Sequence, residues 1–185
     1  MILKNIKESV QILKSGGVIL YPTDTIWGIG CDATNTKSIE KIYKIKNRPK
    51  KKPLILLVNN TKMLSEYVEE LTEEIIKILN KNNEPTTIIY PNPKKLPKIL
   101  TQTNTIAIRV TNDYFCSEII KKLKKPIIST SANISREKNP KNFKEINKKI
   151  KKMVDYIVNH KIDLNLEKPS RIIKINSENI IEFIR

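Results

Sequence analysis

The chain predicts an α/β fold: a mixed open sheet covered by helices, in a single domain over residues 1–185. Three observations carry this. Short apolar runs of strand length alternate with longer stretches whose apolar residues recur at helical spacing. The last two candidate elements are both strands, which makes the sheet mixed rather than purely parallel. The length, 185 residues, suffices for one hydrophobic core, and the sequence shows no internal repeat and no long low-complexity linker.

The elements follow in order. Ile6, Val10 and Leu13 set a helical stripe over residues 5–15, ended by Gly16-Gly17. Residues 18–21 form an apolar strand that runs into Pro22-Thr-Asp-Thr25 and then Trp27-Gly-Ile-Gly30. All 4 glycines of the chain lie between positions 16 and 30. Glycine used so sparingly marks places where the backbone needs φ > 0 or close approach by a partner. The segment after the strand is therefore expected to be a site loop, at the strand end where open α/β sheets bind ligands. Ile39, Ile42, Tyr43 and Lys46 are in helical register, with Thr36 as N-cap and Pro49 stopping the helix near Lys46. Residues 54–58 are short and apolar enough for a buried strand. Helices are expected at 61–68, 72–80, 114–123 and 142–152. Strands are expected at 86–90, 105–110, 127–129, 154–158, 171–175 and 180–184.

Composition narrows the chemistry. Two cysteines, Cys31 and Cys116, and one histidine, His160, cannot make a Cys/His zinc cluster. A Ser-His-Asp triad would have to use His160, which sits near lysine at the end of a strand and is read as a surface residue. No apolar run reaches membrane-spanning length, and the N-terminus lacks a signal-peptide core, so a cytoplasmic protein is expected. No Gly-x-x-x-x-Gly-Lys-Ser/Thr and no Gly-x-Gly-x-x-Gly occurs, which removes the P-loop and Rossmann readings. The net charge of +16 invites a nucleic-acid partner. The competing explanation is compositional: Lys, Ile and Asn share A/T-rich codons, and runs such as Lys148 to Lys152 read as solvated helix faces. Arginine is the sharper signal. Only 5 of 35 basic residues are Arg, at 48, 109, 136, 171 and 185. Where lysine is the default cation, a retained arginine points to a planar fork for phosphate or carboxylate.

Three clusters carry chemistry. Lys46-Asn-Arg48-Pro49 puts two basic residues before a proline; in extended backbone Lys46 and Arg48 would present two cations to one anion. In Ser129-Thr-Ser131-Ala-Asn133 the polar side chains alternate, so in extended backbone Ser129, Ser131 and Asn133 line one face with donors and acceptors. In Thr105-Ile-Ala-Ile-Arg109, residues 105, 107 and 109 share a face. An arginine in an apolar strand needs an anionic partner, either a substrate carboxylate or a structural Asp or Glu.

Pro22-Thr-Asp-Thr-Ile-Trp-Gly-Ile-Gly-Cys31, Lys46-x-Arg48-Pro49, Ile106-Ala-Ile-Arg109-Val110 and Ser129-Thr-Ser131-Ala-Asn133 stand in the order and rough spacing of the YrdC/TsaC family. The chain resembles this family of threonylcarbamoyl-AMP synthases over nearly its whole length. The resemblance implies a twisted sheet of YrdC-like form with a basic cavity. It implies that L-threonine, bicarbonate or CO2 and ATP give L-threonylcarbamoyladenylate and pyrophosphate, a nucleotidyl transfer. A separate tRNA-threonylcarbamoyl transferase complex would move the product's acyl group to an adenosine beside the anticodon.

By this similarity Lys46 and Arg48 are catalytic. Lys46, Arg48, Lys52, Thr105, Ser131, Asn133, Asn139 and Arg185 would hold ATP, and Thr25, Arg109, Ser129 and Ser170 would hold threonine. No carboxylate cluster advertises a metal site, so Mg²⁺ is expected to ride on the triphosphate. A monomer is also implied. The sequence departs from the family at Glu84 and Arg136, where glycine is usual, and at Arg171, where threonine is usual. Those departures, with the charge, keep a second reading: a catalytically impaired module of the same fold that binds tRNA or double-stranded RNA. A carbamoyl-transfer module for hydrogenase maturation is disfavoured by the lack of zinc-type Cys pairs.

Overall fold

The computed structural model describes residues 1–81, 84–160, 168–175 and 181–184. Helix α1 (Ile2–Lys14) buries Ile6, Val10 and Leu13, the expected stripe. It stops where Gly16 takes φ +81°, a left-handed conformation open to glycine at no steric cost. Strands β1 (Ile19–Pro22) and β2 (Trp27–Gly30) pair antiparallel, with Pro22 opposite Trp27. Helix α2 (Thr36–Ile45) is capped by Asn35, whose side chain accepts from the Ser38 N–H, one residue before the expected Thr36 cap. Then come β3 (Ile55–Val58), the short α3 (Thr61–Ser65), α4 (Glu73–Lys81) and β4 (Thr86–Pro91). After β5 (Thr105–Val110), Asp113 caps α5 (Tyr114–Leu123), and Lys124 ends it at φ 58°. The chain closes with β6 (Ile127–Ser131), α6 (Lys148–Met153), β7 (Tyr156–Ile157), β8 (Arg171–Ile175) and β9 (Ile181–Phe183).

The helix expected over 142–152 forms only from Lys148. The Asn142 side chain accepts from the Lys144 and Glu145 amides, and Asn147 caps the helix that follows. Asparagine offers the backbone an alternative to helical bonding, and here it wins.

Among the described residues one sheet runs β7-β1-β2-β6-β3-β5-β4-β8-β9. It is mixed: β3–β5, β4–β8 and β1–β7 are parallel, and the other pairs are antiparallel.

The register divides the side chains between two faces. One face carries Ile29, Leu56, Val58, Ile88, Tyr90, Ile106, Ile108 and Ile128, all buried in a continuous core with the apolar stripe of α2. The other face changes character across the sheet. Ile19, Tyr21, Leu57 and Ile127 pack there beneath α1 and α5. On the same face, Ser129 stands opposite Ile55, and Ile55 opposite Ala107. Arg109 lies beside Leu57. The helices cover the apolar part of this face and leave the polar part open.

Candidate functional site

The open part of that face is the floor of a cavity of about 320 Å³, within the range of small-molecule sites. Arg109, Ala107, Ser129, Ser131, Thr87 and Ile89 rise from the strands. Thr23 and Thr25 close it from the β1–β2 turn, Arg48 and Pro53 from the loop after α2, and Pro169 and Ser170 from the segment before β8. The lining carries two guanidiniums, Arg48 and Arg109, among hydroxyls and apolar groups.

The β1–β2 turn is held by its own hydroxyls. Thr23 Oγ1 donates to the Ile26 carbonyl at 2.8 Å and accepts from the Thr25 and Ile26 amides at 3.0 and 3.2 Å. Its one proton is thereby used, so Thr25 is the donor in the 2.8 Å contact between the two hydroxyls. Thr25 faces the cavity already oriented. The segment expected to be a loop is thus a strand entered through a tight turn. Gly28 and Gly30 belong to it because Tyr21 and β6 approach so closely.

Arg109 is 4% exposed, and its Nη1 donates to Asp24 Oδ1 at 3.0 Å. A protein carboxylate therefore stabilises it, and the fork has further donors for a second anion. Arg48 donates from Nη2 to the Pro53 carbonyl at 2.8 Å. Its Nε–H is buried with no acceptor among the described residues. Ser170 lines the cavity and exchanges a 2.8 Å hydrogen bond with Thr87.

Lys46 lies differently from its expected place beside Arg48. Asn47 takes φ 48°, which turns the chain and breaks the extended geometry that would align the two cations. Lys46 is 1% exposed, and its amine donates to Ser131 O, Asn133 O and Asn133 Oδ1. Burial, with Arg48 nearby, pulls its pKa down to about 7.

Of the other expected site residues, Asn139 lines the cavity. Asn133 is buried at its edge, bonded to Ser131 Oγ at 2.6 Å. Thr105 shares the face of Arg109 as expected, but it sits at the strand's start, paired with Thr103 and outside the lining. Lys52 is exposed and outside the lining, its carbonyl accepting from Tyr43 OH. Arg185 lies outside the described residues. Asp24, Thr23 and Thr87 were not singled out from sequence. Asp24 had a signal, its place between the two threonines of the Pro-Thr-Asp-Thr run; Thr87 had one too, as the last residue of the family-like segment in which Glu84 replaces glycine. No group of three His, Cys, Asp or Glu residues that could hold a metal occurs among the described residues. No helix among them is long and apolar enough to cross a membrane.

A Sua5/YciO/YrdC family model, described as "Telomere recombination", matches residues 11–185. The chain belongs to this family. A Sua5/YciO/YrdC relative from Pseudoalteromonas translucida (strain TAC 125), named threonylcarbamoyl-AMP synthase, is 34% identical over 171 residues, covering 90% of this chain and 91% of the relative. One of the same name from Aliivibrio fischeri (strain ATCC 700601 / ES114) is 39% identical over 137 residues, covering 72% and 74%. The structure of P. abyssi Sua5 complexed with L-threonine has a TM-score of 0.85 at 22% identity, covering 97% of this chain and 53% of that one. This likeness shows the fold, and this chain spans about half the length of that protein.

In this Sua5/YciO/YrdC chain, Arg136 stands at φ 78°. The backbone keeps a left-handed turn although an arginine occupies it. Arg136→Gly should stabilise the protein by about 0.5–1 kcal/mol, the relief of αL strain less the entropy glycine adds to the unfolded chain. A rise in thermal midpoint of about 1–4 °C checks this; a fall would show that the arginine side chain outweighs its strained backbone.

Proposed function

We propose that the chain is a threonylcarbamoyl-AMP synthase, an adenylyl-transferring enzyme that uses L-threonine, bicarbonate or CO2, and ATP. One observation carries this: four motifs separated by up to a hundred residues converge on one cavity or its edge, with two guanidiniums at different parts of its lining. Arg109 suits the threonine carboxylate, because it is fixed by Asp24 and forks into the cavity. Thr25, Ser129 and Ser170 would complete that end. Arg48 suits the triphosphate: its buried Nε–H is a donor that an anion would satisfy. Ser131 and Asn139 would face the nucleotide beside it, and Asn133 would support them from the edge.

The threonine amine becomes a carbamate, either by adding CO2 with loss of a proton or by condensing with bicarbonate with release of water, and a carbamate oxygen attacks the α-phosphorus as pyrophosphate leaves. There is no covalent role for a side chain in this scheme. Catalysis is positioning and stabilisation of charge that grows on the phosphates. The lining residues contribute hydroxyls and an amide but no carboxylate, which suits an Mg²⁺ that arrives on the triphosphate and neutralises part of its charge. The product is a mixed anhydride; a separate transferase acting on tRNA would consume it.

Pyrophosphate release from MgATP in bicarbonate buffer should depend on L-threonine. Folded protein that releases none would reject the synthase and favour the RNA-binding module, whose affinity should fall steeply with salt.

A further inference from the structure

We propose that Lys46 is a positioning residue: its side chain pins the turn after β6 and thereby shapes the nucleotide end of the cavity, without touching the ligand. An ammonium has three donors, and three oxygens take them: Ser131 O, Asn133 O at 2.9 Å and Asn133 Oδ1 at 3.0 Å. The backbone of the same residue acts from the other side, for Lys46 O accepts the Ser135 N–H at 2.8 Å. One residue therefore clamps the turn at 131, 133 and 135. Asn133 carries the constraint onward. Its Oδ1 accepts from Ser131 Oγ at 2.6 Å, and its Nδ2 donates to Glu137 O at 2.6 Å, two residues before Asn139 in the lining.

The amine itself is not part of the lining. To reach a phosphate it would have to abandon three charge-assisted hydrogen bonds and free the turn that presents Ser131. Burial lowers its pKa, yet three oxygens around one nitrogen favour the protonated form that can satisfy all of them. The cation works as a structural donor inside the protein, and of the Lys46–Arg48 pair it is Arg48 that lines the cavity.

This inference rests on reading the cavity as a nucleotide site, and the experiment separates the two. Lys46→Met keeps the length and removes the donors. Hydrogen exchange of amides 131–137, and the affinities for ATP, AMP and L-threonine, are measured in both proteins. Faster exchange over 131–137 is expected, with ATP and AMP weakened by the same factor, roughly tenfold as for other supporting residues, and threonine unchanged. Lys46→Gln, which keeps two N–H donors, should recover part of both effects. A loss for ATP that far exceeds the loss for AMP would overturn the proposal, since it would mean direct phosphate contact; so would unchanged exchange. If Lys46→Met does not fold, Asn133→Ala decides: the clamp requires faster exchange at 135 and 137. Wild-type protein that binds neither nucleotide would reject the nucleotide reading, and the exchange result would still judge the clamp.

Discussion

Arg109→Lys should raise the threonine concentration needed for half-maximal pyrophosphate release by about 10²-fold at saturating ATP, with a far smaller change in the requirement for ATP. The substitution keeps a positive charge, so Asp24, 3.0 Å from Nη1 in the wild type, keeps a cation nearby. What disappears is the planar fork that meets a carboxylate through two parallel N–H···O bonds. Losing one charge-assisted hydrogen bond costs about 1.5–3 kcal/mol, or roughly 10–10² in affinity. Arg109→Ala goes further: it strips Asp24 of its partner and should lower the thermal midpoint as well as activity. Steady-state kinetics in threonine, with melting curves of both variants, separate recognition from stability. Unchanged threonine dependence in Arg109→Lys would mean that the substrate carboxylate binds elsewhere.

Gly30→Ala should cost about 3 kcal/mol of stability, a fall in thermal midpoint of roughly 6–12 °C for a chain of this size. An added Cβ would overlap the Ile128 carbonyl oxygen and come within 3.0 Å of the Tyr21 ring. Neither neighbour can yield. The Ile128 amide is tied to Cys31 O at 2.8 Å within β6, and Tyr21 is fully buried. Gly28→Ala is the internal control. There the nearest atom is Ser129 Oγ at 3.3 Å, the end of a side chain that can rotate, so the cost should be about 1 kcal/mol. Equal melting of the two variants would show that the cause is loss of glycine in a strand and not the close approach of β6.

Most elements were legible because their signals are local. The stripe of α1, the helix 114–123 and the strand Thr105–Val110 each have an unambiguous period and clear stops. Strand β2 was not legible, since Trp-Gly-Ile-Gly reads as a loop until its neighbours are known. Its glycines report contact with β6, a segment about a hundred residues away. The cavity shows the same division. Arg109, Ser129 and Ser131 line the cavity on the faces expected from sequence, because strand parity alone decides which way they point. Lys46 was not, because the turn at Asn47 and the pull of three oxygens on the 131–133 segment are tertiary facts. Nor was Asp24 recognised as the partner of Arg109: a carboxylate between two threonines says nothing by itself about an arginine on β5.

The order of strands in the sheet has a consequence for the nascent chain. Strand β1 is bordered on its outer side by β7, and the Val18 amide is bonded to Asp155, 137 residues later. Strand β4 likewise waits for β8. During synthesis the first hairpin must stand with an unpaired edge until Asp155 and β7 have emerged, and pairings this distant form slowly. The apolar N-terminal hairpin is therefore the segment most exposed to mispairing on the ribosome. The cavity is lined by Ser170 as well as Thr25, so it cannot be complete until residue 170 has been made.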